Sequence, residues 1–256
     1  VIAQAVVTLS FYIVVHKDDV LFHHLQFLKR PSKKHTKEIF MIGLPSAVQS
    51  MIFSSISMVI ARLIAGWGDG AVAVQKVGSQ IESISWMTSE GYALALNSFV
   101  AQNFGARNGE RIKKGYRLSM ILMLVWGLFC SVLLIFAPEL IFRIFIQESD
   151  VLPLGVDYLR ILGVSQLFMC IEITTEGAFC GLGKTLPPSI VSITLTAARI
   201  PLAICLSEFL GLNGIWWSIT ISSICKGIVL CSWFLWYQRK ALCSMLKQDS
   251  KALSEA

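Results

Sequence analysis

The sequence predicts an all-α protein, a polytopic membrane helix bundle, and two observations carry the prediction. Six apolar stretches follow one another between Glu38 and Arg239, each at least as long as the roughly 20 residues that a helix needs to cross the hydrocarbon of a bilayer. The Lys and Arg residues between the stretches fall almost entirely on alternate loops. Because unpaired backbone polar groups cannot face lipid, we expect the stretches to be helical.

The composition agrees with a membrane protein. Of the 256 residues, 55% are hydrophobic and 15% are charged, whereas a soluble domain carries about 25% charged residues. The formal net charge is +6, but the basic residues flank the apolar stretches and form no basic face of their own. We therefore expect the lipid bilayer as a partner and no nucleic acid.

Each predicted span is bounded by turn or charge signals. Glycine-rich segments separate several of the stretches, as is typical of turns. Pro45 and Pro201 fall inside spans, where proline kinks a helix. In chain order the predicted spans are Ile39 to Trp67, Gly70 to Phe104, Tyr116 to Ala137, Leu152 to Ala178, Leu186 to Leu206 and Leu212 to Tyr237.

The segments outside the spans give the predicted domain organisation. Residues 1–15 are apolar but have no initiating Met, basic segment or cleavage site, so they are interpreted as the end of a truncated span and not as a signal peptide. Residues 16–38 are predicted to be a cytoplasmic connection, in which Val20 to Leu28 either lies along the membrane surface or is an ordinary linker. Residues 39–238 form the bundle and residues 239–256 a cytoplasmic tail.

The loop charges predict the orientation, because basic residues near span ends stay in the cytoplasm. The opposite side carries Arg143 and mostly acidic residues. We therefore expect a multi-pass protein of the plasma membrane with its C-terminus in the cytoplasm. The basic residues of the predicted cytoplasmic side are Lys17, Lys29, Arg30, Lys33, Lys34, Lys37, Arg107, Arg111, Lys113, Lys114, Arg117, Lys184, Arg239, Lys240, Lys247 and Lys251.

Charged side chains within the spans are the main functional signal. A charge at the centre of a membrane helix costs about 2.5 to 3.5 kcal/mol, so these groups must pair with one another or line a wet cavity. Glu172 is either a proton carrier or the fixed partner of Lys226 or Arg199. The predicted substrate and ion-coupling residues are Glu172, Glu176, Glu82, Gln49, Arg199 and Lys226.

Polar residues recur at helical spacing in four spans and so share a face in each. The simplest arrangement points all four stripes at one interior cavity. The alternative is that Ser and Thr hydrogen-bond neighbouring helices and bind no substrate. The stripes are Ser46, Gln49, Ser50, Ser54 and Ser57; Ser79, Glu82, Trp86, Glu90 and Asn97; Ser189, Ser192, Thr196 and Arg199; and Ser218, Ser222 and Lys226.

Catalytic and metal-binding patterns are not found in the sequence. The seven cysteines form no Cys-x-x-Cys pair and mostly lie within apolar stretches, where they act as small packing residues. The four histidines share one polar connection, and no Ser-His-Asp set or phosphate-binding glycine loop is present. We expect no enzyme activity, no metal site and no resident cofactor.

Several segments resemble the multidrug and toxic compound extrusion (MATE) transporters. The segment GLPSAVQSMIFSSISMVIARLIAGWGDGAVAVQKVGSQIES resembles the opening of the second half of these proteins, and FVAQNFGARNGERIKKGYR resembles their VGQNxGAGxxxRxxxG signature. The segments GAFCGLGKTLPPSIVSI, ARIPLA and GLNGIWWSI follow in the family's order. The resemblance runs from about Glu38 to Lys240.

The resemblance implies a fold of twelve helices in two six-helix lobes. This chain then supplies the end of the sixth helix and the C-terminal lobe, with the N-terminal lobe of the same full-length protein as its partner. It also implies secondary active export of small organic compounds, often cationic, with H⁺ or Na⁺ as the coupling ion. A site between paired repeats is a general transporter plan.

This sequence departs from the family at the coupling residues. One branch carries a coupling Glu in the seventh helix, but no carboxylate occurs between Gly43 and Ala65, and Phe53 stands at about that place. The family acid of the tenth helix falls near Met169, one turn before Glu172. A lipid-linked oligosaccharide flippase of the same superfamily, or a non-transporting truncated membrane protein, remains an alternative.

Overall fold

The structure is a computed structural model in which residues 2–17, 33–146, 148 and 151–254 are described. All regular structure in these residues is helical. They form nine helices: α1 (Ile2–Lys17), α2 (Lys33–Ala65), α3 (Asp69–Gly105), α4 (Gly109–Phe136), α5 (Pro138–Arg143), α6 (Leu152–Gly181), α7 (Leu186–Ala197), α8 (Arg199–Leu210) and α9 (Leu212–Ser254).

The six predicted spans correspond to α2, α3, α4, α6, the pair α7 and α8, and α9. The described residues contain five segments that are long and apolar enough to cross a membrane: Ile39–Ala65, Gly109–Phe136, Leu152–Gly181, Leu186–Leu210 and Leu212–Lys240. Helix α3 has 37 residues but is not among them, because it carries Lys76, Glu82 and Glu90. It packs along α6 and α4, with Ser85 and Ser89 buried at the contact and Lys76 and Glu90 exposed.

Helix ends differ from the predicted boundaries. Helix α2 begins at Lys33 and α9 continues to Ser254, so parts of the predicted connection and tail are helical. Neither Lys33 to Glu38 nor Lys240 to Ser254 contains a Gly or Pro that would stop a helix. The segment Val20 to Leu28 lies outside the described residues. Contacts divide the chain into Val1–Phe40 and Met41–Ala256, and every predicted site residue belongs to the second unit.

The fifth predicted span is interrupted near its middle. Helix α7 ends at Ala197 and α8 begins at Arg199. A proline ring clashes with the carbonyl four residues earlier, and for Pro201 that carbonyl belongs to Ala197. The interruption confirms the distortion predicted for Pro201, whereas α2 runs through Pro45 without a break.

Helix α5 was not predicted from the sequence. Its six residues begin with Pro138 in the first turn, where the missing N–H of proline costs nothing. An exposed ion pair of 2.7 Å joins Glu139 and Arg143 one turn apart. Phe142 is fully buried, and this contact attaches α5 to the bundle beside Gly155 of α6.

Helix α6 is the centre of the bundle. It packs against α3, α4 and α9 and is buried on most of its circumference. Glycines allow the close approach: a Cβ on Gly177 would lie 2.6 Å from the carbonyl oxygen of Ala93, and one on Gly181 would lie 2.6 Å from that of Asn97. Small residues at such contacts are how membrane helices gain packing energy.

Basic side chains of two helices lie together at one end of the bundle. At one end, Lys113 and Arg117 of α4 line a cavity together with Arg239 of α9. At the other end, Trp67 lies beside Gly211, and a Cβ added to Gly70 would lie 3.7 Å from Cγ2 of Val151. The structure thus brings basic segments that are distant in sequence to one end, as the alternation of charged loops predicts.

The contact of Gly177 with α3 can be tested with a matched pair of alanine substitutions. Gly177→Ala inserts a methyl group against the α3 backbone, and overpacking of this kind costs about 1 to 3 kcal/mol. Gly91→Ala adds the same methyl group where nothing lies within 4 Å. Thermal unfolding in detergent should show a lower midpoint for Gly177→Ala only, and equal midpoints for both variants would contradict the packing described.

Candidate substrate and ion site

The charged residues of the predicted site form one connected group inside the bundle. Glu172 and Glu176 belong to α6, Lys226 to α9, Arg199 to α8 and Glu82 to α3. Arg199 lies close enough to Glu172 and Glu82 to interact with both electrostatically. Glu176 likewise lies close enough to Glu172, Lys226 and Glu90 to interact with them electrostatically. We name this group the interior charge network: Glu82, Glu90, Glu172, Glu176, Arg199 and Lys226, with Gln49 attached to it.

A buried ion pair is the shortest contact of the network. The ammonium of Lys226 donates to Oε1 of Glu172 at 2.8 Å, and the two residues are only 5% and 7% exposed. The neighbouring Gly227 allows α9 to approach α6, since a Cβ there would lie 2.6 Å from the carbonyl oxygen of Phe168. The sequence leaves Glu172 as either a proton carrier or the fixed partner of Lys226 or Arg199. In the structure it forms the ion pair with Lys226.

Arg199 is held by hydroxyl groups of α9. Its Nε donates to Oγ of Ser222 and its Nη2 donates to Oγ of Ser223, each at 3.1 Å. Ser222 in turn donates to the carbonyl oxygen of Leu195 at 2.7 Å. Because Arg199 is the first residue of α8, these bonds attach the interruption between α7 and α8 to α9.

Glu176 lies one turn from Glu172 on the side that faces α2. Nε2 of Gln49 donates to its Oε1 at 3.0 Å, and both residues are partly exposed. Glu90 is exposed on α3. Glu82 is partly exposed, yet its Oε1 is buried and meets no hydrogen-bond donor in the part of the chain that the structure describes. Carboxylates thus lie on the accessible side of the network and the ion pair lies inside.

The four polar stripes differ in how far they are covered. The stripes of α7, α8 and α9 are buried against one another, as the helix-packing alternative holds. The stripes of α2 and α3 are mostly exposed, with Gln49, Glu82 and Asn97 only partly covered. Helical spacing predicts which residues share a face of a helix. Whether that face is covered depends on the neighbouring helices.

Several buried polar contacts have no signal in the sequence. Ser223 stands beside the α9 stripe, not on it. Nε1 of Trp216 donates to Oε1 of Gln75 at 3.1 Å, and the hydroxyl groups of Tyr116 and Thr175 lie 3.0 Å apart. These residues look like ordinary packing positions until the helices are assembled.

Carboxyl groups outnumber cations in the network. It contains four carboxylates and two cations, and both cations are engaged by side chains within it or beside it. No group of three or more His, Cys, Asp or Glu residues suited to a metal ion occurs among the residues that are described. The arrangement can therefore attract a cation to its open side while the inner pair joins α6 to α9.

Comparisons with known proteins place these features in a family. The MatE family model matches residues 45–205. The "Probable multidrug resistance protein NorM" of Thermotoga maritima is 28% identical over 237 residues, which are 90% of this chain and 51% of that protein. The "Multidrug export protein MepA" of Staphylococcus saprophyticus is 24% identical over 226 residues, 88% of this chain and 50% of that protein.

Solved structures share the fold. A MATE structure in complex with MaD3S matches with a TM-score of 0.80 and 20% identity, covering 96% of this chain and 54% of that one. An outward-facing multidrug resistance MATE family transporter matches with a TM-score of 0.75 and 22% identity, covering 84% and 48%. The chain spans about half the length of the relatives and structures that it matches.

The buried pair is tested by a double-mutant cycle. Glu172→Gln and Lys226→Met each leave an unpaired charge or polar group in the interior, and breaking one side of a buried pair costs about 3 to 5 kcal/mol. The double variant removes both charges, so it should regain most of the lost free energy of unfolding, measured in detergent titrations. Glu139→Gln, at an exposed pair, should change little. Additive losses in the double variant would show that the two residues are not coupled.

Proposed function

The chain belongs to the MATE family, and from this premise we propose that it is part of a secondary active multidrug exporter that moves organic, often cationic, compounds out of the cell. Entry of H⁺ or Na⁺ drives this export. The observation that carries the proposal is the interior charge network, with a closed Glu172–Lys226 pair next to the more accessible Glu176. The relatives NorM of Thermotoga maritima and MepA of Staphylococcus saprophyticus are called multidrug resistance and export proteins, which supports the same substrate class.

The accessible carboxylates are the proposed point of entry for cations. Glu176, bonded to Gln49, and Glu90 stand on the side of the network away from the inner pair. The excess of two carboxylates over cations attracts positive charge, and this attraction is stronger in a low-dielectric interior than in water. Substrate and coupling ion then compete for the same negative region, which is a simple basis for antiport.

Coupling requires that ion binding favour one conformation over another. When a proton or Na⁺ neutralises Glu172, its attraction for Lys226 weakens and the connection between α6 and α9 loosens. Arg199 interacts with Glu172 and begins α8, so a change at Glu172 also reaches the interruption before Pro201. Helix α8 then shifts relative to α7, and the cavity opens to the other side by alternating access.

The flippase alternative requires free cations to hold a pyrophosphate group. The structure engages both interior cations, since Lys226 is paired with Glu172 and Arg199 is bonded to Ser222 and Ser223. A phosphate group would also meet four carboxylates nearby. The arrangement therefore favours a cationic substrate.

The protein is a multi-pass protein of the plasma membrane with its C-terminus in the cytoplasm, in keeping with the basic end of the bundle. The other lobe of the full-length transporter supplies the second half of the substrate path. Transport is the activity, without enzymatic chemistry or a resident cofactor.

Transport of fluorescent organic cations into inside-out vesicles tests the proposal, with pH and Na⁺ gradients imposed separately on the product of the intact gene. Glu176→Gln should lower gradient-driven transport about tenfold or more, because hydrogen bonds to charged groups contribute about 1.5 to 3 kcal/mol, and a tenfold change corresponds to about 1.4 kcal/mol. Glu208→Gln, at an exposed residue of α8, is the matched control.

Two results would contradict the proposal. Transport that neither gradient drives would exclude secondary active export. Equal transport by Glu176→Gln and Glu208→Gln, at equal amounts of folded protein, would exclude Glu176 from the ion path. Movement of lipid-linked sugars in place of organic cations would support the flippase instead.

A further inference from the structure

A second candidate binding site lies outside the interior charge network, at the basic end of the bundle. A cavity of about 360 Å³ opens between α4 and α9. Its polar wall consists of Lys113, Tyr116, Arg117, Gln238 and Arg239. The proposed transport mechanism uses none of these residues.

The charges of this cavity are of one sign. Lys113, Arg117 and Arg239 line it, and no carboxylate does so. In the described part of the chain, none of the three is held by an ion pair. The three residues are exposed, and like charges around one cavity repel one another, so an anion between them is favoured.

A buried hydrogen-bond donor in the same wall also lacks a partner. Gln238 is only 8% exposed, and its Nε2 meets no acceptor among the described residues. A buried donor left unpaired costs about 1 to 3 kcal/mol, and this cost disappears when a ligand supplies an acceptor. A phosphate oxygen suits both the amide and the three cations.

The remaining wall is apolar and continues onto the outer surface. Met120, Ile121 and Leu235 line the cavity, and Ile121 and Leu235 are half exposed. Beyond them, α4 presents Val125 and Leu128 to the outside, a surface apolar enough to contact lipid. The ligand must therefore have an anionic head and an apolar tail.

The position along the helices agrees with the depth of a lipid headgroup. Trp236 is exposed beside the cavity, and the ammonium of Lys240 lies 5.3 Å from the centre of its ring. Trp and basic residues together are typical of the membrane interface. Basic pockets between membrane helices on the cytoplasmic side bind anionic lipid headgroups.

We propose that this cavity binds an anionic phospholipid, with the phosphate between Lys113, Arg117, Arg239 and Gln238 and an acyl chain along Ile121 and Leu235. The lipid joins α4 to α9, which have few direct contacts with each other. Binding should therefore stabilise the protein.

The test uses the product of the intact gene, delipidated in detergent and titrated with dioleoyl phosphatidylglycerol, dioleoyl phosphatidylcholine or inorganic phosphate. Thermal unfolding and native mass spectrometry report stability and bound lipid. Phosphatidylglycerol should raise the midpoint and remain bound, whereas phosphatidylcholine and phosphate should do neither. Equal effects of the two lipids, or full competition by inorganic phosphate, would overturn the proposal.

Matched variants locate the site. Lys113→Gln with Arg117→Gln should weaken phosphatidylglycerol binding about tenfold or more. Arg111→Gln with Lys114→Gln removes the same charge from neighbouring exposed positions and should leave binding unchanged. Gln238→Leu removes only the buried donor, so it should fold normally and still bind more weakly. Unchanged binding in Gln238→Leu and equal losses in the two double variants would place the lipid elsewhere.

Discussion

The ion pair between Lys226 and Glu172 constrains the rest of the structure. Two charges at this depth are tolerated only when other helices enclose them, and the enclosure is the packing of α3, α4 and α9 around α6. Glycines at the contacts of α6 with α3 and α9 allow the backbones to approach closely. Arg199 adds a second connection from α8 to α9 through Ser222 and Ser223. The charged groups in the interior are therefore tolerated only because the helices around them are densely packed.

Much of the fold is predictable from the sequence because the bilayer imposes a length and a polarity on each span. The apolar stretches and basic loops predict the helices and bring Lys113 and Arg239 to one end, and Pro201 predicts the interruption before α8. The polarity rule fails for α3, which is a bundle helix although it carries Glu82 and Glu90. One face of α3 is buried against its neighbours, whereas Glu82 is only partly covered and Glu90 is exposed, so mean polarity alone does not identify this helix as part of the bundle.

The sequence predicts which residues form the candidate site but not which of them pair with one another. The spacing of Glu172 and Glu176 places them on one face of α6, and the cost of buried charge requires partners. Both Lys226 and Arg199 satisfy that requirement in the sequence, and it is the assembled bundle that pairs Glu172 with Lys226. Contacts such as Gln49 with Glu176, or Gln238 beside three cations, join helices distant in sequence. No local pattern contains that information.

The interior charge network and the cavity at the basic end differ in the sign of the charged groups that predominate in each. The network has more carboxylates than cations, whereas the cavity between α4 and α9 has cations and no carboxylate. Helix α9 contributes to both, with Lys226 in the network and Gln238 and Arg239 in the cavity about three turns further along. A shift of α9 that follows release of Lys226 would move the lipid-binding residues as well. An anionic lipid held by α4 and α9 would then favour the conformation in which the Glu172–Lys226 pair is closed, so membrane composition would act on the same equilibrium as the coupling ion.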